Sequence, residues 1–330
     1  MKIKNFIFAT LLLCLTITCS CKKTGTNTAP VQEYTQISPN FDADSAYTFV
    51  DNQVAFGPRV PNTSQHAACA DYLVGELRRF GAEVQEQKAV LTAFDGTKLN
   101  ARNIIGSYGL DKEKRVLLFA HWDTRPFSDH DNNPDNYHKP ILGANDAASG
   151  VGVLLEVARA VHAKSPEVGI DIIFFDAEDY GTPNFMENPP EGEWWCLGSQ
   201  YWSKNPHVPG YTAKYGILLD MVGAPDATFF KEQFSKKYAA TIVEKVWQTA
   251  GKLNYGKYFV GRDGGYITDD HVPVNQNLHI PSIDIIQYDA NTDSGFGAYW
   301  HTQDDDMRNI SKETLKAVGQ TVLEVIYNEK

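Results

Sequence analysis

The sequence predicts a single α/β domain, and three observations carry that prediction. Helical and strand signals alternate from about residue 41 onward. Four short apolar runs are rich in β-branched and large apolar side chains and too short for helices. Roughly 300 residues remain once an export segment is removed, enough for one domain with a substantial core.

In chain order, Lys2 and Lys4 precede an apolar stretch over 6–17, the pattern of a signal peptide and short for a membrane span. Thr18-Cys19-Ser20-Cys21-Lys22-Lys23 follows. A small residue before a cysteine at this point resembles a bacterial lipoprotein cleavage site, with Ser20-Cys21 the better match and Cys19 the fallback. This makes 1–21 a lipoprotein signal peptide. The lipid on the cysteine would anchor the chain to a membrane in the bacterial cell envelope, on the periplasmic side. Residues 22–40, rich in Thr, Lys, Pro, Gln and Asn, read as a flexible tether, and 41–330 as the folded domain.

Within that domain, Cys69, Tyr72, Leu73, Leu77 and Phe80 recur at helical spacing over 64–80, with Gly81 as the stop. Residues 116–120 form the first buried strand. A helix over 147–163 presents Val151, Leu154, Leu155, Ala158 and Val161. Strands at 170–175 and 216–219 follow, then a helix over 236–250 carrying Ile242, Val243, Val246 and Trp247. The last strand is 283–286, and the last helix begins at Ser311, a good N-cap. The loop over 125–141, with Asp129, His130, Asp131, Asp135 and His138, reads as a solvated acidic loop whose spacing matches no calcium motif. A second long loop covers 180–197.

The net charge is −11, which argues against a nucleic-acid partner, since that binding needs a basic surface. Only Cys69 and Cys196 lie beyond the export segment, too few for a disulfide framework, and nothing favours their pairing.

Chemistry-bearing residues gather at the strand ends, where open α/β sheets bind ligands. His121-Trp122-Asp123 ends the first strand and Gly143-Ala144-Asn145-Asp146 precedes a helix. Asp176-Ala177-Glu178-Asp179 ends the second strand, Asp220 ends the third, and His301 follows Trp300. These are imidazoles and carboxylates from five segments, the donors zinc accepts. A lone residue of this kind is usually structural; five such segments in order are not easily so. Glu178 and Asp179 leave a strand in different directions, so one can bind metal while the other faces substrate as a proton carrier.

Gly57-Pro58-Arg59, the HxD unit, GAND-x-x-SG, the carboxylate pair, Leu197-Gly198-Ser199, LLDMVG, DDHVP and the late His together resemble the zinc aminopeptidase superfamily over about 45–328. That resemblance implies a central mixed, twisted β-sheet flanked by helices on both faces. Within the superfamily, three features look more like glutaminyl cyclases than aminopeptidases. These are Asp220-Met221-Val222-Gly223-Ala224-Pro225, the extra Asp in Asp269-Asp270-His271, and Trp300 beside His301.

Carried over by position, the resemblance implies one zinc per chain, held by Asp146, Asp179 and His301. It makes Glu178 the general acid/base, places Asp220 and Asp269 in the substrate-holding and proton network, and puts Trp300 with Trp194 or Trp195 along the pocket. The implied substrates are peptides or proteins with N-terminal Gln. Asp179 stands where animal cyclases carry Glu. His121 and Asp123 match residues that serve the first metal in two-zinc relatives, so an aminopeptidase stays open as the alternative. A peptide-binding lipoprotein without catalysis is the third class, and the intact Glu178 and ligand set argue against it.

Overall fold

The computed structural model describes residues 34–330, of which 35–330 form one unit. The expected signal peptide, the cysteine expected to carry lipid and most of the expected tether lie outside the described residues. Among the described residues no helix is long and apolar enough to cross a membrane.

Four strands occupy the predicted positions: β3 (Arg115–His121), β4 (Gly169–Phe175), β5 (Gly216–Asp220) and β8 (Ser282–Ile286). Two longer strands, β1 (Glu83–Thr92) and β2 (Lys98–Tyr108), complete a six-stranded sheet in the order β1-β2-β4-β3-β5-β8. The β3, β4, β5 and β8 pairings are parallel, while β2 runs antiparallel to both β1 and β4, so the sheet is mixed. A separate two-stranded ladder joins β6 (Phe229–Lys231) to β7 (Phe259–Asp263).

Helices cover both faces. Alternate residues of β3 divide between two cores. Val116, Leu118 and Ala120 belong to the core shared with residues of α1 (Ala43–Val54), α2 (Ser64–Arg79), α3 (Gly150–Ala163), α5 (Gln233–Lys252) and α7 (Lys312–Tyr327). Leu117 and Phe119 belong to the second core, with Trp202 of α4 (Leu197–Lys204) and Val274, next to the single turn α6 (His271–Pro273). Ser311 caps α7 by accepting the N–H of Thr314, as its position predicts.

Two boundaries differ from the sequence reading. The helix expected from 147 becomes regular only at Gly150, and the segment Ala144–Ser149 before it is kinked at Asp146, whose φ −109° and ψ 92° leave the helical region. The end of the expected tether is packed onto the domain. Ser38 is buried and its hydroxyl donates to Glu324, while the Phe41 N–H donates to Gln320, both on α7. Cys69 and Cys196 are both free and buried.

Candidate metal centre and active site

The parallel strands end on one side of the sheet and deliver the polar residues there. His121 is the last residue of β3 and Asp220 the last of β5, and Glu178 and Asp179 follow β4 within four residues. Three of the predicted residues converge: ligand atoms of Asp146, Asp179 and His301 all lie within 4.8 Å of one another, and all three side chains are buried. His301 Nε2 is 3.5 Å from Asp146 and 3.3 Å from Asp179. A second group shares Asp146, with His121 Nε2 2.9 Å from its Oδ1 and 3.3 Å from Asp220 Oδ1.

This donor set fits a zinc ion. Asp179 Oδ2 is buried without a hydrogen-bond partner, which costs free energy unless a cation meets it. Burial alone would favour neutral imidazoles. Against it, Asp179 helps push His301 up to about 10, and Asp123, Asp146 and Asp220 hold His121 well above its ordinary range. So strong a pull on both rings marks a pocket whose negative charge calls for a cation.

The local sequence explains why the donors sit still. The carboxylate of Asp123 accepts the backbone N–H of Glu178 at 3.1 Å and of Asp179 at 3.2 Å, pinning the turn after β4. Asp305 does the same for the other carboxylate segment, accepting from Asn145 at 2.8 Å and Asp146 at 3.0 Å. Asn145 in turn accepts the N–H of Gly223 at 2.8 Å, and Ser149 accepts that of Val222 at 3.0 Å. The GAND-x-x-SG motif thereby ties itself to LLDMVG. Buried Arg59 donates to the carbonyls of Leu142 and Gly143, which accounts for the Gly-Pro-Arg motif. His271 of DDHVP lies away from the donors and bonds Glu232 at 3.1 Å.

Glu178 points into the cavity and is no member of the Asp146–Asp179–His301 group. Burial pushes its carboxyl well above the usual range, offset by His121 and reinforced by Asp269 and Asp179. The Cys196 thiol donates to its Oε1 at 3.2 Å. Asp269 lies behind it, within 4.8 Å of Glu178 and Cys196, and burial together with Asp220 pushes Asp269 up to about 7. Asp220, raised to about 6 by burial against the opposing bond from His121, also sits beneath the cavity rather than in its wall.

The cavity measures about 640 Å³, with Asp146, Glu178, Asp179 and His301 among its polar lining and Trp195, Met221, Tyr288, Phe296 and Trp300 among its apolar lining. Trp300 stacks on His301 at 3.8 Å between ring centres. Trp195 lies parallel to His301 at 6.2 Å. Trp194 is the member of the pair that does not line the cavity: its indole N–H donates to the Pro190 carbonyl at 2.9 Å. The first part of the 125–141 loop departs from the expected solvated form, since Arg125, Ser128 and Asp129 are buried, while Asp135 and His138 are exposed as expected. Asp305 and Arg125 are residues the sequence reading missed; neither belongs to a motif, and their partners at the site lie far away along the chain.

The fold and the arrangement of these donors are of the zinc-exopeptidase type. The chain belongs to peptidase family M28, whose sequence profile matches residues 103–326. It is 64% identical to a Zn-dependent exopeptidase from Parabacteroides distasonis, covering 89% of this chain and 100% of that one with a TM-score of 0.88. It is 62% identical to Tannerella forsythia glutaminyl cyclase over 88% of this chain and 100% of that one, with a TM-score of 0.87. It is 60% identical to Bacteroides thetaiotaomicron glutaminyl cyclase bound to N-acetylhistamine, over 89% and 100%, with a TM-score of 0.88.

Proposed function

We propose that this chain cyclises the N-terminal glutamine of peptides and proteins to pyroglutamate with release of ammonia, using one zinc ion held by Asp146, Asp179 and His301. The observation that carries the reading is the placement of Glu178. It is a buried carboxyl at the cavity wall, raised in pKa and next to a metal-capable cluster of which it is not a part. The likeness to two glutaminyl cyclases at 62% and 60% identity supports it.

In the reaction the α-amine forms a bond to the γ-carbonyl carbon, and the bond from that carbon to the amide nitrogen breaks. Zinc, when bound, supplies Lewis acidity at the γ-carbonyl oxygen. Glu178 takes the proton shed by the attacking amine and returns it to the departing ammonia. A carboxyl held well above its ordinary range is suited to both halves of that exchange, and Asp269 behind it offers the proton a second seat. Trp195 and Trp300 flank His301 and pack the methylene stem, which holds the side chain folded back on the amine and removes much of the entropic barrier.

The second reading is a two-metal aminopeptidase, favoured by the His121–Asp146–Asp220 group that shares Asp146. The two readings separate on ammonia: a cyclase liberates it from a Gln peptide and leaves a Leu peptide intact, whereas an aminopeptidase trims the Leu peptide.

The lipoprotein signal over 1–21 supports a lipid anchor at Cys21 and a place in the periplasm. Labelling with a radioactive fatty acid tests the anchor, and a Cys21→Ser variant that stays labelled would refute Cys21 as its site.

A further inference from the structure

Arg125 and Asp129 have no part in the proposed chemistry, yet they are 1% and 5% exposed. They form a two-pronged pair, Arg125 Nε to Asp129 Oδ1 and Nη2 to Oδ2, each 2.7 Å. Such a pair fixes the planes of both groups. Burying it is costly, and well-packed apolar side chains often serve stability as well, so stability alone is a weak account of its presence.

Each half of the pair reaches one of the clustered donors. Asp129 Oδ1 is 3.5 Å from Nδ1 of His301, an ion-pair distance, and that buried nitrogen has no hydrogen-bond partner among the described residues. Nδ1 is the ring nitrogen opposite the Nε2 that faces Asp146 and Asp179. Arg125 Nη1 donates to the Asp179 carbonyl at 3.1 Å and lies 3.5 Å from its Oδ1. The guanidinium also lies over the Trp195 ring at 4.6 Å. His301 holds a left-handed backbone, φ 54°, a conformation its surroundings must impose.

We infer that the Arg125–Asp129 pair is a positioning device for the metal site. Asp129 sets the ring orientation and tautomer of His301, keeping the proton on Nδ1 and the lone pair on Nε2 for the metal. Arg125 sets the main chain and carboxylate of Asp179. The inference rests on His301 and Asp179 being ligands, as proposed above.

The test is zinc affinity of the purified protein, measured by competition with a chromogenic chelator, beside the visible absorption of the cobalt-substituted protein. Asp129→Asn should weaken zinc about 10–100-fold and shift the cobalt bands, because the outer partner of a ligating His tunes both. Arg125→Lys, which keeps the charge but loses the fork, should weaken zinc by less. Unchanged affinity in Asp129→Asn overturns the inference, as does weaker binding with unshifted cobalt bands, which would mark a merely structural role. If Asp129→Asn does not fold, the Arg125→Met/Asp129→Leu double variant, which removes both charges together, is read in the same way. His301→Ala separates the two claims: if it binds zinc as tightly as the parent, the ligand set itself is wrong, whatever Asp129→Asn does.

Discussion

Asp123 Oδ2 accepts the backbone N–H of Asp179 at 3.2 Å, while the other oxygen of the same carboxylate holds Glu178. One buried side chain thus places a candidate ligand and the candidate proton carrier together. Asp305 does the same for Asp146. Asp123→Ala leaves two buried N–H groups without acceptors, at about 1–3 kcal/mol each. The expected result is a lower denaturant midpoint together with reduced zinc affinity, measured by urea titration and chelator competition.

Glu178 and Asp179 should divide their roles cleanly. Asp179→Ala should lose both zinc and activity. Glu178→Gln should keep about one zinc per chain while kcat falls about 10²–10⁴-fold, the usual worth of a general acid/base. Elemental analysis beside steady-state kinetics reads both, and loss of zinc from Glu178→Gln would mean the roles are exchanged.

Gly143 precedes the Asp146 turn at φ 60°, and a Cβ there would press on the Asp146 carbonyl and the Thr124 methyl. Gly143→Ala should therefore destabilise the fold by more than about 1 kcal/mol. The midpoint of urea unfolding should drop with an unchanged slope.

The two neighbouring indoles should behave differently. Trp195→Ala removes cavity wall beside His301 and should lower kcat/KM for a Gln peptide about tenfold, the effect of losing roughly 1.5 kcal/mol of apolar contact. Trp194→Ala should leave kcat/KM near the parent value, because that ring turns toward the Pro190 carbonyl.

The legible strands were those buried on both faces. β4 is buried at every residue and reads as an unbroken apolar run. β1 is an edge strand with alternating exposure, and its Glu83, Gln85, Glu86, Gln87 and Lys88 gave no such run. The donors of the site were legible because each sits in a short motif beside a strand or helix end. How the donors are held was not, since Asp305, outside every motif, reaches Asp146 across 159 positions, and Asp123, legible only as part of the HxD unit, reaches Asp179 across 56. Contacts of that range leave no spacing signal in one sequence, and Trp194 and Trp195 could be told apart only by the direction of their rings.

The most direct test of the central claim is the product made from a peptide beginning Gln-Phe-Ala, followed by mass spectrometry with a Leu-Phe-Ala control. The account predicts that the Gln peptide loses the mass of one ammonia with its Gln–Phe bond intact, and that the Leu peptide, which has no γ-carbonyl, is untouched. Release of free Gln and free Leu with no loss of ammonia would contradict it, and would make the chain an aminopeptidase acting on the backbone carbonyl.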